Sequence, residues 1–260
     1  MDISLINLAI GLVLMLVAIG IFHIFRVNVA RSTIIAATRM VVQMFLIGIY
    51  LKYLFEWNNA YINVAWVLIM AMVAASTAIG RTGLRARLMF LPICVAFTAT
   101  AFVIGLYFLI FVLRLGNPFD ARYFIPTMGI LLGNMLGVNV MGLNTYYSQL
   151  IREQGLYHYM IGNGATIKEA VCPFIREALE KAFAPAIANM AVMGLVALPG
   201  TMIGQILGGS SPEVAIKYQI MIVVITFCAS VISLVLTIRM SFHFTFDTFG
   251  RLKSIKKTSN

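Results

Sequence analysis

Long apolar runs separated by short polar connections dominate the pattern of this sequence. A helix needs about 20 predominantly apolar residues to cross a bilayer. Runs of that length occur at residues 3–25, 32–55, 61–79, 89–113, 124–146, 184–207 and 214–238. The pattern predicts an all-α, polytopic integral membrane protein with about seven transmembrane helices in a single domain over residues 1–260.

Composition and charge agree with a membrane protein. The chain is 61% hydrophobic and 11% charged, whereas a soluble domain carries about 25% charged residues. Basic residues follow the first, third and last runs: Arg26 and Arg31; Arg81, Arg85 and Arg87; Arg239, Arg251, Lys253, Lys256 and Lys257. The positive-inside rule explains this placement better than nucleic-acid binding does. It predicts an N-terminus outside the cell and a C-terminus in the cytosol.

One predicted cytosolic connection, residues 147–183, is long and of mixed charge. Small or apolar residues recur in it every four positions, as in a helix, at Ala170, Phe174, Ala178 and Ala182. Because glycine is unfavourable inside a helix, Gly162-Asn163-Gly164 predicts a tight turn between two helices. Such a helical hairpin has no core of its own, so we expect a partner subunit to cover it. The alternative is an amphipathic hairpin lying on the membrane.

Run five combines glycine and asparagine. Gly129, Gly133 and Gly137 share one helical face, where small residues allow another helix to approach closely. The amides of Asn134, Asn139 and Asn144 need hydrogen-bond partners or a water-filled cavity within a bilayer. The pattern is open to two interpretations, helix packing and the lining of a polar pathway.

Run six contains Leu198-Pro199-Gly200, an unusual sequence for a membrane anchor. Proline cannot donate the helical hydrogen bond, so the helix bends or breaks there. Broken membrane helices are tolerated where they line a cavity, and the freed carbonyls could coordinate a cation. We therefore predict a kinked helix followed by the last transmembrane helix over residues 184–238, with Gln205 and Gln219 as polar neighbours of the kink.

Two further polar residues lie within a predicted membrane helix. Arg39 and Gln43 lie four residues apart on one face of run two. The Arg39 side chain can extend to the membrane interface, whereas Gln43 lies deeper.

The sequence has no GxxxxGK[ST] or HExxH motif, and no Asp or Glu falls deep in any run. ATP binding through a P-loop and catalysis within the membrane are therefore not expected of this chain. The 16 methionines are typical of flexible packing; soft-metal ligation is the alternative.

At this point the chain resembles the FetB family of ATP-binding-cassette permeases, proposed iron exporters that include plant half-transporter subunits involved in aluminium tolerance. Four segments carry the resemblance: TRMVVQMFLIGIYLKYLF (38–55), GILLGNMLGVNV (129–140), GNGATIKEAV (162–171) and VALPGTMIGQILGGSSPEVAIKYQIM (196–221). The last segment is the most specific. Thr201 departs from it, because the family usually has methionine at that position.

The resemblance implies a permease subunit that exports iron or a related metal ion, pairs with a second copy of itself and binds a cytosolic, FetA-like ATPase. ATP and Mg²⁺ belong to that ATPase, with no cofactor on this chain, and the location is the bacterial cytoplasmic (inner) membrane. Residues 147–183 become the coupling segment, with ATPase-coupling residues Gly162, Gly164, Ala165, Thr166 and Glu169. The hinge consists of Leu198, Pro199 and Gly200. The predicted translocation pathway contains Arg39, Gln43, Asn134, Met202, Gln205 and Gln219, and no metal ligands are assigned.

Two alternatives belong to other function classes. A stand-alone secondary carrier or channel for a metal ion or small solute would transport without ATP or a partner. A membrane enzyme or assembly scaffold would need a nucleophile or metal cluster that the sequence does not offer. The residues themselves do not identify the substrate, which could be iron, another metal, a chelate or a nucleotide-sugar-like solute. Only the family resemblance favours iron, and the direction of transport rests on the same resemblance.

Overall fold

The computed structural model describes residues 5–27, 29–247 and 251–255, and these are almost entirely helical. The helices are α1 (Leu5–Ile24), α2 (Ala30–Trp57), α3 (Ala60–Thr82), α4 (Ala86–Tyr107) with a π-helical turn (Phe108–Val112), α5 (Ala121–Arg152), α6 (Gln154–Gly162), α7 (Ile167–Val192), α8 (Gly200–Leu207) and α9 (Pro212–Thr245). The all-α prediction is confirmed. The predicted tail residues Lys256 and Lys257 lie outside the described part of the chain.

Six helices among the described residues are long and apolar enough to cross a membrane: α1, α2, α3, α4 with its π-helical turn, α5 and α9. They correspond to six of the seven predicted runs, so the polytopic membrane architecture is confirmed. The remaining run, 184–207, is divided between α7 and α8. The orientation across the membrane stays a prediction.

The chain divides into two compact units, residues 1–58 and 59–260. In the first unit, α1 and α2 carry apolar residues around most of their circumference, and Leu54 is the one buried residue of α2 among those described. An apolar surface of this extent needs to be covered by lipid or by another protein chain. The prediction of a single domain over 1–260 stays a prediction.

The second unit is built around α5, which packs against α3, α4, α7 and α9. Asp120 caps its start, because the Oδ1 atom accepts the backbone N–H of Arg122 at 3.0 Å. The helix has 32 residues, about 48 Å at 1.5 Å per residue, whereas the hydrocarbon layer is about 30 Å thick. It therefore extends beyond the hydrocarbon layer and carries its last turns to the predicted coupling segment.

A tight contact between α5 and α9 lies at Gly142. A Cβ atom added there would lie 2.5 Å from the Cδ2 atom of Leu234. The predicted glycine face is more open: a Cβ at Gly133 or Gly137 would meet no described atom within 4 Å. At Gly129, the third glycine of this face, a Cβ would lie 3.3 Å from the Cε atom of Met70 in α3. Packing at Gly133 and Gly137 stays a prediction, and the contact with α9 depends on a glycine that the four-residue spacing did not single out.

Two hydrogen bonds show which of the loops between helices lie at the same end of the second unit. The backbone N–H of Arg85, between α3 and α4, donates to the carbonyl of Ile255 in the C-terminal tail at 2.8 Å. At the opposite end, the Nδ2 atom of Asn63 donates to the carbonyl of Phe119 at 2.9 Å. Two of the predicted basic segments thus lie together, and the positive-inside rule predicts that this end is cytosolic.

Candidate functional site

The predicted kink in residues 184–207 is a complete interruption of the helix. α7 ends at Val192, and Gly194 follows with a φ of +86°, a left-handed conformation that favours glycine. The carbonyl of Val192 accepts the backbone N–H groups of Leu195, Val196 and Ala197 at 3.3, 3.0 and 3.4 Å. The prediction of one kinked helix is therefore wrong, and this particular carbonyl is already occupied rather than free for a cation.

The predicted hinge forms the second boundary of this interruption. Pro199 is extended, with φ −63° and ψ 138°, and α8 begins at Gly200. Leu198 precedes them with 58% of its surface exposed. A proline directly before the first helical residue loses no helical hydrogen bond, so the sequence Leu-Pro-Gly starts a new helix here. Residues 193–199 thus form a break between α7 and α8.

Together, α7 and α8 still pass along the length of α9. Lys168 at the start of α7 shares a cleft with Arg239 near the end of α9. Met193, at the break, shares a cavity with Thr226 in the middle of α9. Thr201 of α8 donates a hydrogen bond to the Oε1 atom of Gln219 near the start of α9. Along α9 the chain therefore forms two helical pieces, α7 and α8, separated by the break.

A cavity of about 200 Å³ adjoins the break, between α5, α7 and α9. Its polar and sulfur-bearing walls come from six side chains: Asn134, Asn189, Met190, Met193, Thr226 and Ser230. All of them are neutral, and they offer amide, hydroxyl and thioether groups to a bound solute. The described residues contain no group of three or more His, Cys, Asp or Glu side chains positioned to hold a metal ion.

Sequence reasoning missed a stripe of hydroxyl groups along α9. The stripe comprises Thr226, Ser230, Ser233, Thr237, Ser241 and Thr245, all of them buried. Within it, Ser233 accepts a hydrogen bond from the Nδ2 atom of Asn139 at 2.7 Å, and Ser241 accepts one from the Tyr147 hydroxyl at 2.8 Å. The recurrence of Ser or Thr every three or four residues was the available signal. The stripe leads from the cavity to the end of α9 next to the coupling segment.

The predicted pathway residues fall into three groups. Asn134 lines the cavity, and its Nδ2 atom donates to the carbonyl of Ile130 at 2.9 Å. Met202, Gln205 and Gln219 belong to the α8–α9 pair, where Met202 and Gln219 are buried and Gln205 is half-buried. The other two, Arg39 and Gln43, are exposed on α2 in the first unit. Their common role as a pathway stays a prediction.

The first half of the predicted coupling turn is a helix C-terminus closed by glycine. Gly164 has a φ of +91°, and its N–H donates to the carbonyl of Ile161 at 3.0 Å. The next N–H, of Ala165, donates to the carbonyl of Met160 at 3.0 Å. This pair of bonds is the Schellman arrangement, in which a left-handed residue terminates a helix. Gly162, the last residue of α6, is exposed beside it.

The second half of the turn is a helix N-terminus closed by a capping box. The Oε2 atom of Glu169 accepts both the backbone N–H and the hydroxyl of Thr166 at 2.8 Å. In return, the Thr166 Oγ1 atom accepts the N–H of Glu169 at 3.4 Å. These bonds from Thr166 lower the pKa of Glu169. Local sequence thus fixes the shape of the whole turn.

A polar cluster ties α7 to the end of α5. The Oε1 atom of Glu177 accepts hydrogen bonds from the Nε2 atom of Gln149 and, at 2.6 Å, from the Nζ atom of Lys181. The Oε1 atom of Gln149 in turn accepts a hydrogen bond from Arg152 at 2.7 Å. The bond from Lys181 is the main cause of a lowered pKa at Glu177. The hairpin is therefore attached to the helix that lines the cavity.

Replacing Glu177 by Gln should destabilise the purified protein modestly at neutral pH. The lowered pKa means that folding favours the ionised carboxylate, so this stabilisation is complete above the ordinary value of 4.5. It is lost as the pH falls from 4.5 through the lower pKa of the folded protein. Thermal unfolding in detergent should show a difference between the two proteins that shrinks over this range. The control is Glu180→Gln, which removes an exposed carboxylate; a pH-independent difference for Glu177→Gln would contradict the assignment.

Comparison with known proteins leads to the same family that the sequence segments resemble. The family described as "Uncharacterised protein family (UPF0014)" matches residues 5–246. The chain belongs to this family. It is 31% identical over 216 residues to the "Probable iron export permease protein FetB" of Escherichia coli, covering 83% of this chain and 82% of that protein. No solved structure gives a significant match.

Two further relatives extend the family to other organisms. The chain is 26% identical to the "UPF0014 membrane protein YjkA" of Bacillus subtilis over 251 residues, covering 95% of this chain and 97% of that protein. It is 28% identical over 216 residues to the "Protein ALUMINUM SENSITIVE 3" of Arabidopsis thaliana, covering 82% and 77%. The resemblance read from the sequence segments is confirmed. The chain is a polytopic membrane protein of a family in which one relative is named as a permease.

Proposed function

We propose that this chain is the membrane-spanning permease subunit of an ATP-binding-cassette transporter that exports iron or a related metal ion. Two copies pair in the bacterial cytoplasmic membrane, each bound to a separate, FetA-like ATPase subunit that carries ATP and Mg²⁺. The name of the Escherichia coli relative, a probable iron export permease, supports the permease role, the substrate and the direction of transport.

The observation that carries the proposal is the exposed, preformed turn between α6 and α7. The Schellman arrangement at Gly164 and the capping box of Thr166 and Glu169 hold the turn in one shape without a partner. A surface that is already ordered loses little conformational entropy when another protein binds it. A short, rigid and exposed turn at the end of a helical bundle is well suited to insertion into a cleft of an ATPase.

The same helix that begins at this turn also reaches the cavity. α7 runs for 26 residues from the turn to the break, and its last turns carry Asn189 and Met190 into the cavity wall. Movement of the ATPase would therefore be passed along α7, which stays helical from the turn to the break although it contains Pro173 and Pro185. The break between α7 and α8 would absorb this movement, because residues 193–199 lie outside both helices and their hydrogen bonds form a turn rather than a continuous helix.

The cavity chemistry fits a substrate that has to be released again. A metal ion held by amide, hydroxyl and thioether groups has no anionic ligand to neutralise it, so binding at this cavity is weak. Transport requires binding strong enough for entry and weak enough for exit. In this proposal Asn134, Asn189, Thr226 and Ser230 are transient substrate contacts, and Gln219 with Met202 lies farther along the same path.

The test is co-purification of the tagged chain from its own host's membranes in mild detergent. We expect a P-loop ATPase in stoichiometric amount and metal-stimulated ATP hydrolysis by the complex. In Gly164→Val a β-branched residue would have to take a φ near +91°, so recovery of the ATPase should fall at least fivefold. The control, Gly155→Ala, lies inside α6 and its Cβ meets no atom within 4 Å. Transport by the chain alone in liposomes, without ATP or an ATPase, would instead establish a stand-alone carrier.

A further inference from the structure

A separate cleft lies where the start of α7 meets the end of α9. It has a volume of about 510 Å³, and its walls include Lys168, Arg239, Phe242, His243, Phe246 and Asp247. It shares no lining residue with the cavity at the break. Lys168 lies next to the proposed ATPase-coupling residues, but the proposed transport cycle assigns no ligand to this cleft.

The wall of the cleft carries net positive charge, because it holds two cationic side chains and one carboxylate. Lys168 and Arg239 are exposed, and neither forms an ion pair with a residue in the described part of the chain. The one carboxylate in the wall, Asp247, is engaged in the tail, where its Oδ1 atom accepts the backbone N–H of Arg251 at 2.7 Å. His243 adds an imidazole N–H donor in either protonation state. Two cations and a neighbouring donor around one concave surface favour an anion.

The apolar part of the cleft lies beside these cations. Phe242 and Phe246 are one helical turn apart, with ring centroids 5.7 Å from each other. Arg239 and His243 are also four residues apart, so both lie on one side of α9. Phe246 is held in place by its contact with Tyr157 of α6, at a centroid distance of 6.0 Å. The cleft thus offers a polar rim and an aromatic wall to one ligand.

The predicted end of the apolar run in α9 places the cleft at the depth of the lipid headgroup layer. The apolar run predicted for α9 ends at residue 238, so Arg239 is the first residue beyond it. Residues 239–243 advance about 6 Å along the helix axis. The headgroup region of one leaflet is about 5–7 Å thick by the same bilayer dimensions that define a spanning helix. A ligand bound at this depth would face both phosphate groups and acyl chains.

We propose that this cleft binds the headgroup of an anionic phospholipid. The Arg239 guanidinium and the Lys168 ammonium contact the phosphate oxygens, and His243 donates a further hydrogen bond. The rings of Phe242 and Phe246 contact the glycerol and the first acyl carbons. A zwitterionic headgroup binds less well, because its own ammonium is repelled by Lys168 and Arg239. Bound lipid holds the first turn of α7 against the end of α9.

The experiment is lipid titration of the delipidated, detergent-purified protein, followed by native mass spectrometry. Phosphatidylglycerol should bind to a saturable site, and phosphatidylcholine should bind much more weakly. Because each Lys or Arg at an anionic membrane surface contributes about fivefold in affinity, Lys168→Gln with Arg239→Gln should weaken phosphatidylglycerol binding roughly twentyfold. The control, Arg81→Gln with Arg87→Gln, removes two exposed charges at the same end of the second unit and should retain the site. Arg239→Lys should keep most of the affinity.

Three results would overturn the assignment. Equal weakening by both double variants would mean a general charge effect rather than a site. Displacement of the lipid by glycerophosphate or inorganic phosphate at similar concentrations would identify a water-soluble phosphate as the ligand. Loss of ATPase co-purification in Lys168→Gln with Arg239→Gln, with lipid binding unchanged, would assign the cleft to the protein partner. Size-exclusion chromatography of each variant verifies that it remains folded.

Discussion

Replacing both Gly194 and Pro199 by Ala is expected to abolish most transport while leaving expression normal. Relative to Ala, Gly disfavours a helix interior by about 1 kcal/mol and Pro by about 3 kcal/mol. The double substitution therefore favours a continuous helix over residues 184–207 by about 4 kcal/mol. Ala at position 194 is also strained in the native turn, where φ is +86°. A continuous helix would remove the flexible joint between α7 and α8.

Two measurements test this prediction together. Transport by the complex in proteoliposomes should fall at least tenfold, and hydrogen–deuterium exchange at residues 193–199 should become slower than in the wild type. Gly204→Ala is the control, because it lies within α8 and its Cβ meets no atom within 4 Å. Slower exchange with full transport would show that the break is not the moving joint.

Gly142→Val is expected to destabilise the protein by overpacking the contact between α5 and α9. Its Cβ would lie 2.5 and 2.7 Å from the two methyl carbons of Leu234 and 3.2 Å from its Cγ atom. Leu234 is fully buried, so it has no room to turn away. Overpacking of this kind costs about 1–3 kcal/mol. Denaturant titration of the detergent-solubilised protein measures the loss.

A double-mutant cycle identifies the cause of this loss. Leu234→Ala by itself should destabilise by about 2–5 kcal/mol, because it leaves a cavity. Combined with Gly142→Val, it should destabilise by at least about 1 kcal/mol less than the sum, since the valine methyl groups occupy the space that is vacated. Gly80→Val, where no atom lies within 4 Å of the added Cβ, should have a small effect. Simple additivity would contradict a direct clash.

The sequence by itself determined features that depend on neighbouring residues. Six of the seven predicted apolar runs are continuous helices of membrane length among the described residues, because helix length and hydrophobicity are local properties. Gly162-Asn163-Gly164 predicted the turn for the same reason: the hydrogen bonds that close α6 and begin α7 join residues at most five positions apart. Leu198-Pro199-Gly200 likewise marked one boundary of the break.

Only the tertiary structure decided the features that join distant segments. The break starts at Met193 rather than at Pro199, with Gly194 in a left-handed conformation that the sequence pattern does not reveal. Asn134 was predicted as a pathway residue, but its cavity partners Asn189, Thr226 and Ser230 come from α7 and α9. Gly142 resembles other helical glycines until Leu234, 92 positions later, packs onto it. The physical reason is that helix periodicity gives the face a residue occupies within its own helix, whereas the neighbour of that face is selected by the packing of all the helices together.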